Sequence, residues 1–184
     1  MESLKALRNG KSFDYNIVLI GFMGTGKSTI ANYLSECFGM KTLEMDQEIV
    51  NREGMSIADI FSVHGEEYFR NAETNLLKEM QSERNVVISC GGGTPLREVN
   101  VQEMKKNGKV VLLTAKPETI YERVKDNHDR PLLENNMNVE FIQDMLSKRM
   151  DKYLAAADIT IETDGKSKID ICKDIVAALT ELEK

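Results

Sequence analysis

Nine residues near the start of the chain, Gly21-Phe22-Met23-Gly24-Thr25-Gly26-Lys27-Ser28-Thr29, constrain its fold more than any other stretch. They follow an apolar run, Ile17-Val18-Leu19-Ile20, and lead into a helical pattern. Gly21, four residues, then Gly26-Lys27-Ser28 is the spacing of a P-loop. Its glycines let consecutive backbone N–H groups curl round a phosphate without Cβ clashes. In that cradle, formed by Gly24 to Thr29, Lys27 reaches the outer phosphates and Ser28 offers its hydroxyl to Mg²⁺. The helix opened by the loop directs its orphan N–H groups and its dipole at the same anion.

The rest of the chain alternates between strand and helix signals. Ile30, Leu34 and Phe38 recur every four residues and predict a helix stopped by Gly39. A strand over 41–45 and a helix over 47–53 follow. Ser56 signals a short helix ending at Gly65, and Phe69, Ala72, Leu76, Leu77 and Met80 mark a longer one. Further strands are predicted at 86–90, 110–113 and 158–162, with helices at 97–107, from Pro117, at 139–154 and at 169–182. This β-α alternation implies an α/β fold, a three-layer sandwich with a five-stranded parallel sheet between helices. With 184 residues, one domain over 16–184 is expected, preceded by a loosely attached leader over 1–15, where Asn9-Gly10 breaks any helix.

A net charge of −6 and a pI near 5.1 argue against a nucleic-acid or membrane-surface role, since such partners require a basic face. No apolar run approaches the ~20 residues that span a bilayer. Cys37, Cys90 and Cys172 are odd in number and lack metal-ligand spacing, so reduced thiols in a cytoplasmic protein are expected. His64 and His128 stand alone and receive no role.

Where many P-loop enzymes carry a metal-holding aspartate, the strands at 86–90 and 110–113 end in Ser89-Cys90 and Thr114. The acids at a strand edge are Glu44 and Asp46, expected on one strand face, so the metal and the acceptor hydroxyl are sought there. Asp46 could equally cap the helix that follows. Arg70 and Glu73 lie one turn apart, as a functional pair or as a solvated one. Gly91-Gly92-Gly93 follows a buried strand at the sheet's carboxyl edge, either because the backbone must approach something or as a bare turn. Residues 126–138 have no apolar period beyond Leu132-Leu133 and form the lid candidate, with Arg130-Pro131 among polar residues. The absence of a guanine-reading Asn-Lys-x-Asp favours ATP.

Taken in order, the P-loop, the acid pair ending in Asp46, Gly65-Glu66-Glu67-Tyr68-Phe69-Arg70 with Glu73, the glycine triplet, Arg130-Pro131-Leu132-Leu133 and Arg149-Met150-Asp151-Lys152-Tyr153 carry a resemblance. Residues 16–157 resemble the shikimate kinase family, of the nucleoside monophosphate kinase-like group. The resemblance implies ATP-dependent phosphorylation of the 3-hydroxyl of shikimate, in aromatic amino-acid biosynthesis. It implies that Asp46 meets the ring hydroxyls as base or orienting acceptor, that Arg70 and Arg149 grip the carboxylate, and that Gly91, Gly92 and Gly93 border the substrate, with Gly92 offering its backbone. Arg130 would reach the transferring phosphoryl, Arg123 would lie against the adenine, and Lys166 would stand on the adenine side. Glu44 takes the place of the family's usual aspartate, with a water-mediated role at the metal, and Asp164-Gly165-Lys166-Ser167-Lys168 replaces a Pro-containing loop. A monomer is expected.

Two rivals follow from the same residues. A gluconate or nucleotide kinase would share the chemistry, although a nucleotide acceptor calls for more lid arginines than Arg130 alone. An inactive ATP-binding regulatory module would be expected to lack Lys27, Asp46 or the lid arginine, and all three are present.

Overall fold

Every residue of β1 (Asn16–Ile20) is buried, as a strand at the centre of a sheet covered on both faces must be. The computed structural model describes residues 12–125 and 138–184. In chain order β1 is followed by α1 (Lys27–Phe38), β2 (Lys41–Glu44), α2 (Met45–Glu53), α3 (Ile57–His64), α4 (Glu66–Glu79) and β3 (Val86–Ser89). Then come α5 (Glu98–Asn107), β4 (Gly108–Thr114), α6 (Pro117–Val124), α7 (Val139–Ala156), β5 (Ile159–Glu162) and α8 (Lys168–Leu182). The five strands form one parallel sheet in the order β2-β3-β1-β4-β5.

Side-chain alternation along β1 divides the core in two. Val18 and Ile20 join Ile49 of α2, Leu76 of α4 and Ile142 of α7 on one face. Ile17 and Leu19 join Leu34 of α1 and Ile175 of α8 on the other. Each such side chain, fully buried, contributes roughly 1.5–3 kcal/mol, so both helical layers are held by the strand between them. Because β3 and β4 flank β1, the chain leaves β1 first toward one side of the sheet and later toward the other. That reversal opens a crevice at the carboxyl end of β1, where the P-loop begins.

Three boundaries differ from those expected. Phe13 is only 4% exposed and meets Phe38 edge-on at 5.0 Å, so the end of the expected loose leader is anchored in the core. The second strand stops at Glu44, and Met45, 0% exposed, begins α2. Asp46 therefore sits in the first turn of a helix; Glu44 holds the cap position, without a side-chain capping bond. Carboxylates there are favoured by the helix dipole. Finally, β4 starts at Gly108, two residues before the strand expected at 110–113.

Candidate active site

The P-loop needs glycine for two distinct reasons. Gly26 caps α1 with φ 93°, a left-handed conformation. At Gly21, φ 141°, a side chain would run into the carbonyl oxygen of Leu113. Thr25 is buried and its hydroxyl donates to the Phe22 carbonyl at 2.8 Å, which closes the turn. Lys27 Nζ donates to the carbonyls of Gly21 and Phe22, each at 2.9 Å, and so lies along the loop. Arg123 of α6 donates to the Gly24 carbonyl at 3.1 Å and to Thr163 Oγ1 at 3.1 Å, tying the loop to the end of β5.

Ser28 Oγ donates to Glu44 Oε2 at 3.0 Å. The other oxygen, Glu44 Oε1, is buried without a hydrogen-bond partner among the described residues. A buried carboxylate oxygen left in this condition is costly unless a cation or donor meets it. Beside a P-loop serine, the pair fits a hard divalent cation that keeps several waters and shares phosphate oxygens.

Two cavities meet at this edge of the sheet. The larger, about 780 Å³, is lined by Gly24 to Thr29, Glu44, Arg123 and Lys168. The smaller, about 430 Å³, is lined by the apolar Val50, Ile57, Phe61 and Phe69 together with Arg70, Glu73, Gly93 and Arg149. Met23, Asp46, Gln47, Gly91 and Gly92 line both, so the Asp46 carboxylate stands on the common wall.

The three glycines lie against different polar groups. A Cβ on Gly91 would stand 2.5 Å from Asp46 Oδ1, and one on Gly93 2.5 Å from Arg70 Nη1. Gly92 has more room, with Arg149 Nη1 3.9 Å from such a Cβ, and its carbonyl accepts from Tyr153 Oη at 2.7 Å. The triplet is thus a seam along which Asp46, Arg149 and Arg70 approach one backbone, not a bare turn.

Arg70 and Glu73 are not a solvated pair. Their side chains are 19% and 0% exposed, joined at 2.9 Å, and Glu66 also accepts from Arg70 at 2.8 Å. Burial pulls the Arg70 pKa down, but the hydrogen bonds and charges of Glu73 and Glu66 outweigh it and hold the group above its ordinary value. For Glu73, burial raises the pKa and wins over the hydrogen bonds from Thr94 and Arg70. Arg149 of α7 lies over the Phe22 ring, 5.6 Å from its centroid. Burial also pushes the Tyr153 phenol up against the opposing Arg149 charge, so it remains a donor.

Of the expected nucleotide and metal residues, Gly24, Thr25, Gly26, Lys27, Ser28, Thr29, Glu44 and Arg123 converge on the larger cavity, with Asp46, Gly91 and Gly92. Arg70, Gly93 and Arg149 line the smaller one. Lys166 lines neither; it pairs with Asp174 at 2.8 Å, while Lys168, two residues on, lines the larger cavity and lies over Tyr33. Lys166 precedes the Ser167 cap and Lys168 is the first residue of α8, so the start of that helix separates the directions of the two side chains. Arg130 and the lid candidate lie outside the described residues, except for Asn138, which caps α7 by accepting from Phe141 N at 2.7 Å. Tyr153, expected only as part of the Arg149 motif, joins Arg149 at Gly92, and the one-turn helical spacing between the two is the signal that places both on one face.

The family profile described as shikimate kinase matches residues 23–180. A shikimate kinase of Persephonella marina is 42% identical over 164 residues, covering 89% of this chain and 98% of its own. A structure of shikimate kinase from Acinetobacter baumannii in complex with shikimate superposes with a TM-score of 0.86 at 33% identity, covering 92% of this chain and 94% of its own. A gluconokinase from Sinorhizobium meliloti, 17% identical with a TM-score of 0.57, shares the fold alone.

Proposed function

Since the chain belongs to the shikimate kinase family, we propose that it transfers the γ-phosphoryl group of ATP to the 3-hydroxyl of shikimate, giving shikimate 3-phosphate and ADP for aromatic amino-acid biosynthesis. The observation that carries this reading is the position of Asp46 on the wall shared by the P-loop cavity and the cavity holding Arg70 and Arg149. A donor of triphosphate and an anionic alcohol can then face each other across one carboxylate.

In this reading the P-loop amides, Lys27 and Thr29 hold the phosphates, and Arg123 and Lys168 border the rest of the nucleotide. Arg70 and Arg149 take the substrate carboxylate, for which a guanidinium fork is suited. The apolar wall of Val50, Ile57, Phe61 and Phe69 accepts the ring, and Asp46 with the Gly92 backbone orients its hydroxyls. Ser28 and Glu44 would hold Mg²⁺, which supplies charge neutralisation to the phosphates. Attack of the 3-hydroxyl oxygen on the γ-phosphorus breaks the bond to the bridging oxygen, ADP leaves, and the hydroxyl proton passes to Asp46. In a loose transition state positioning dominates, so Lys27 matters at least as much as proton removal. Arg130 is proposed, from its motif, to neutralise the transferring group. We place the reaction in the cytoplasm and assign it to a monomer; three buried thiols suit the compartment.

ADP release measured with shikimate, quinate, gluconate and nucleoside monophosphates tests the reading. Turnover with shikimate is expected. Turnover of gluconate or a nucleotide with none of shikimate refutes the assignment, and no turnover of any acceptor favours the regulatory module.

A further inference from the structure

Behind Arg70 a run of buried polar side chains leads away from the cavity to α5. Glu73 Oε2 accepts from Arg70 Nη1 at 2.9 Å, and its Oε1 accepts from the Thr94 hydroxyl. The Thr94 carbonyl accepts from Asn100 Nδ2 at 2.8 Å. Thr74 shares its hydroxyl proton between Asn100 Oδ1, at 2.6 Å, and the main-chain carbonyl of Arg70, at 3.0 Å. The path therefore closes on the residue where it began. Glu73, Thr94 and Asn100 are all 0% exposed, and Thr74 is 7% exposed.

A carbonyl can only accept, so Thr94 dictates which way the Asn100 amide faces, and Thr74 fills the remaining acceptor. The circuit holds Arg70 at both ends, by its guanidinium and by its main chain. It also holds Thr94, the residue after Gly93, the glycine at which an added Cβ would displace the Arg70 guanidinium. Asn100 touches neither cavity. Satisfied networks of this kind in a low-dielectric interior rigidify what they enclose.

We propose that Asn100 is a positioning residue for the substrate carboxylate, acting through Thr94 and Thr74 to set the Arg70 guanidinium against the glycine seam. The proposal rests on the reading that Arg70 grips that carboxylate. A merely structural asparagine would lower the active fraction or the melting temperature and leave the shikimate KM alone.

The test is steady-state kinetics of the full chain at a temperature where each variant is folded by circular dichroism. Asn100→Asp keeps the acceptor for Thr74 but sets an acceptor against the Thr94 carbonyl. It should raise the shikimate KM about tenfold, as expected for the loss of one buried hydrogen bond, with the ATP KM within about twofold. Thr74→Val should act in the same direction and Thr74→Ser should restore the wild-type value; this pair carries the test if Asn100→Asp does not fold. In an Arg70→Lys background the effect should shrink, since the fork being positioned is gone. An unchanged shikimate KM in the folded variants, a parallel rise in both KM values, or an undiminished effect beside Lys at position 70 overturns the proposal. Wild-type turnover of shikimate together with flat variants removes this proposal alone. Absence of wild-type turnover removes the functional reading and the proposal with it.

Discussion

Adding one methyl group at different positions of the glycine seam should separate substrate binding from chemistry. Gly93 has φ −91° and ψ −16°, a conformation open to any residue, so Gly93→Ala introduces no backbone strain. The new Cβ would stand 2.5 to 2.7 Å from three atoms of the Arg70 guanidinium, about 0.9 Å short of the 3.4 Å at which ordinary contact begins. The side chain must give way, because the other party is main chain. A guanidinium displaced by this much loses its alignment with Glu73 and with any carboxylate presented to it. Losing one charge-assisted hydrogen bond amounts to about 1.5–3 kcal/mol, or roughly ten- to a hundredfold in KM for shikimate. The ATP KM should be unchanged, since Gly93 does not line the larger cavity. At Gly91 the same methyl meets Asp46 Oδ1 at 2.5 Å, with Glu73 Oε1 and Thr94 Oγ1 farther off at 3.1 and 3.2 Å, so Gly91→Ala should lower kcat more than it raises the shikimate KM. Gly92→Ala finds its nearest neighbours at 3.7 to 3.9 Å and should keep the wild-type melting temperature; because Gly92 lines both cavities, only its folding and not its kinetics is the reference. The assay is ADP release across a matrix of shikimate and ATP concentrations. The reasoning is refuted if Gly93→Ala leaves the shikimate KM within twofold of wild type, or if Gly91→Ala and Gly93→Ala give the same kinetic signature.

Lys27→Ala and Asp46→Asn should each reduce kcat by on the order of 10² or more; near-normal turnover in a rate assay would remove that residue from the mechanism. Arg149→Lys should raise the shikimate KM more than it lowers kcat, because a fork becomes a point charge, and titration of shikimate at saturating ATP checks this. Glu44→Gln should raise the Mg²⁺ concentration needed for half-maximal rate by about tenfold, measured by metal titration. Burial lifts the native pKa of Glu73 above its ordinary 4.5, so above that pH the native state binds more protons there than the unfolded chain does. Its contribution is therefore fully present below 4.5 and is lost as pH rises through the native pKa. Glu73→Gln should make the fall in melting temperature over this window shallower than in wild type, and parallel curves would contradict the assignment.

Much of the molecule was legible in its residues because the signals were local. A strand, a glycine-rich turn and a capped helix are specified by neighbours within a few positions, as at Ile17 to Phe38. The same holds for Ser56 and Pro117, which open helices where propensity places them. The phosphate cradle, the order of elements and the pairing of Arg70 with Glu73 needed no knowledge of distant contacts. Met45 shows where that logic stops: whether it ends a strand or begins a helix depends on the core it enters, 0% exposed, and the placement of Asp46 follows from it. Phe13 likewise sits in a polar stretch and is buried because the core cluster that includes Phe38, 25 positions later, receives it.

The local pattern thus determined that a glycine-rich turn of P-loop spacing joins a strand to a helix within a parallel α/β sheet, since hydrogen bonding and periodicity act over short range. Only the tertiary structure decided that Asp46 faces two cavities at once, that Lys168 rather than Lys166 turns inward, and that Asn100 stands behind Arg70. These depend on where the sheet twist and helix packing bring residues far apart in the chain, and no short stretch of sequence carries that information.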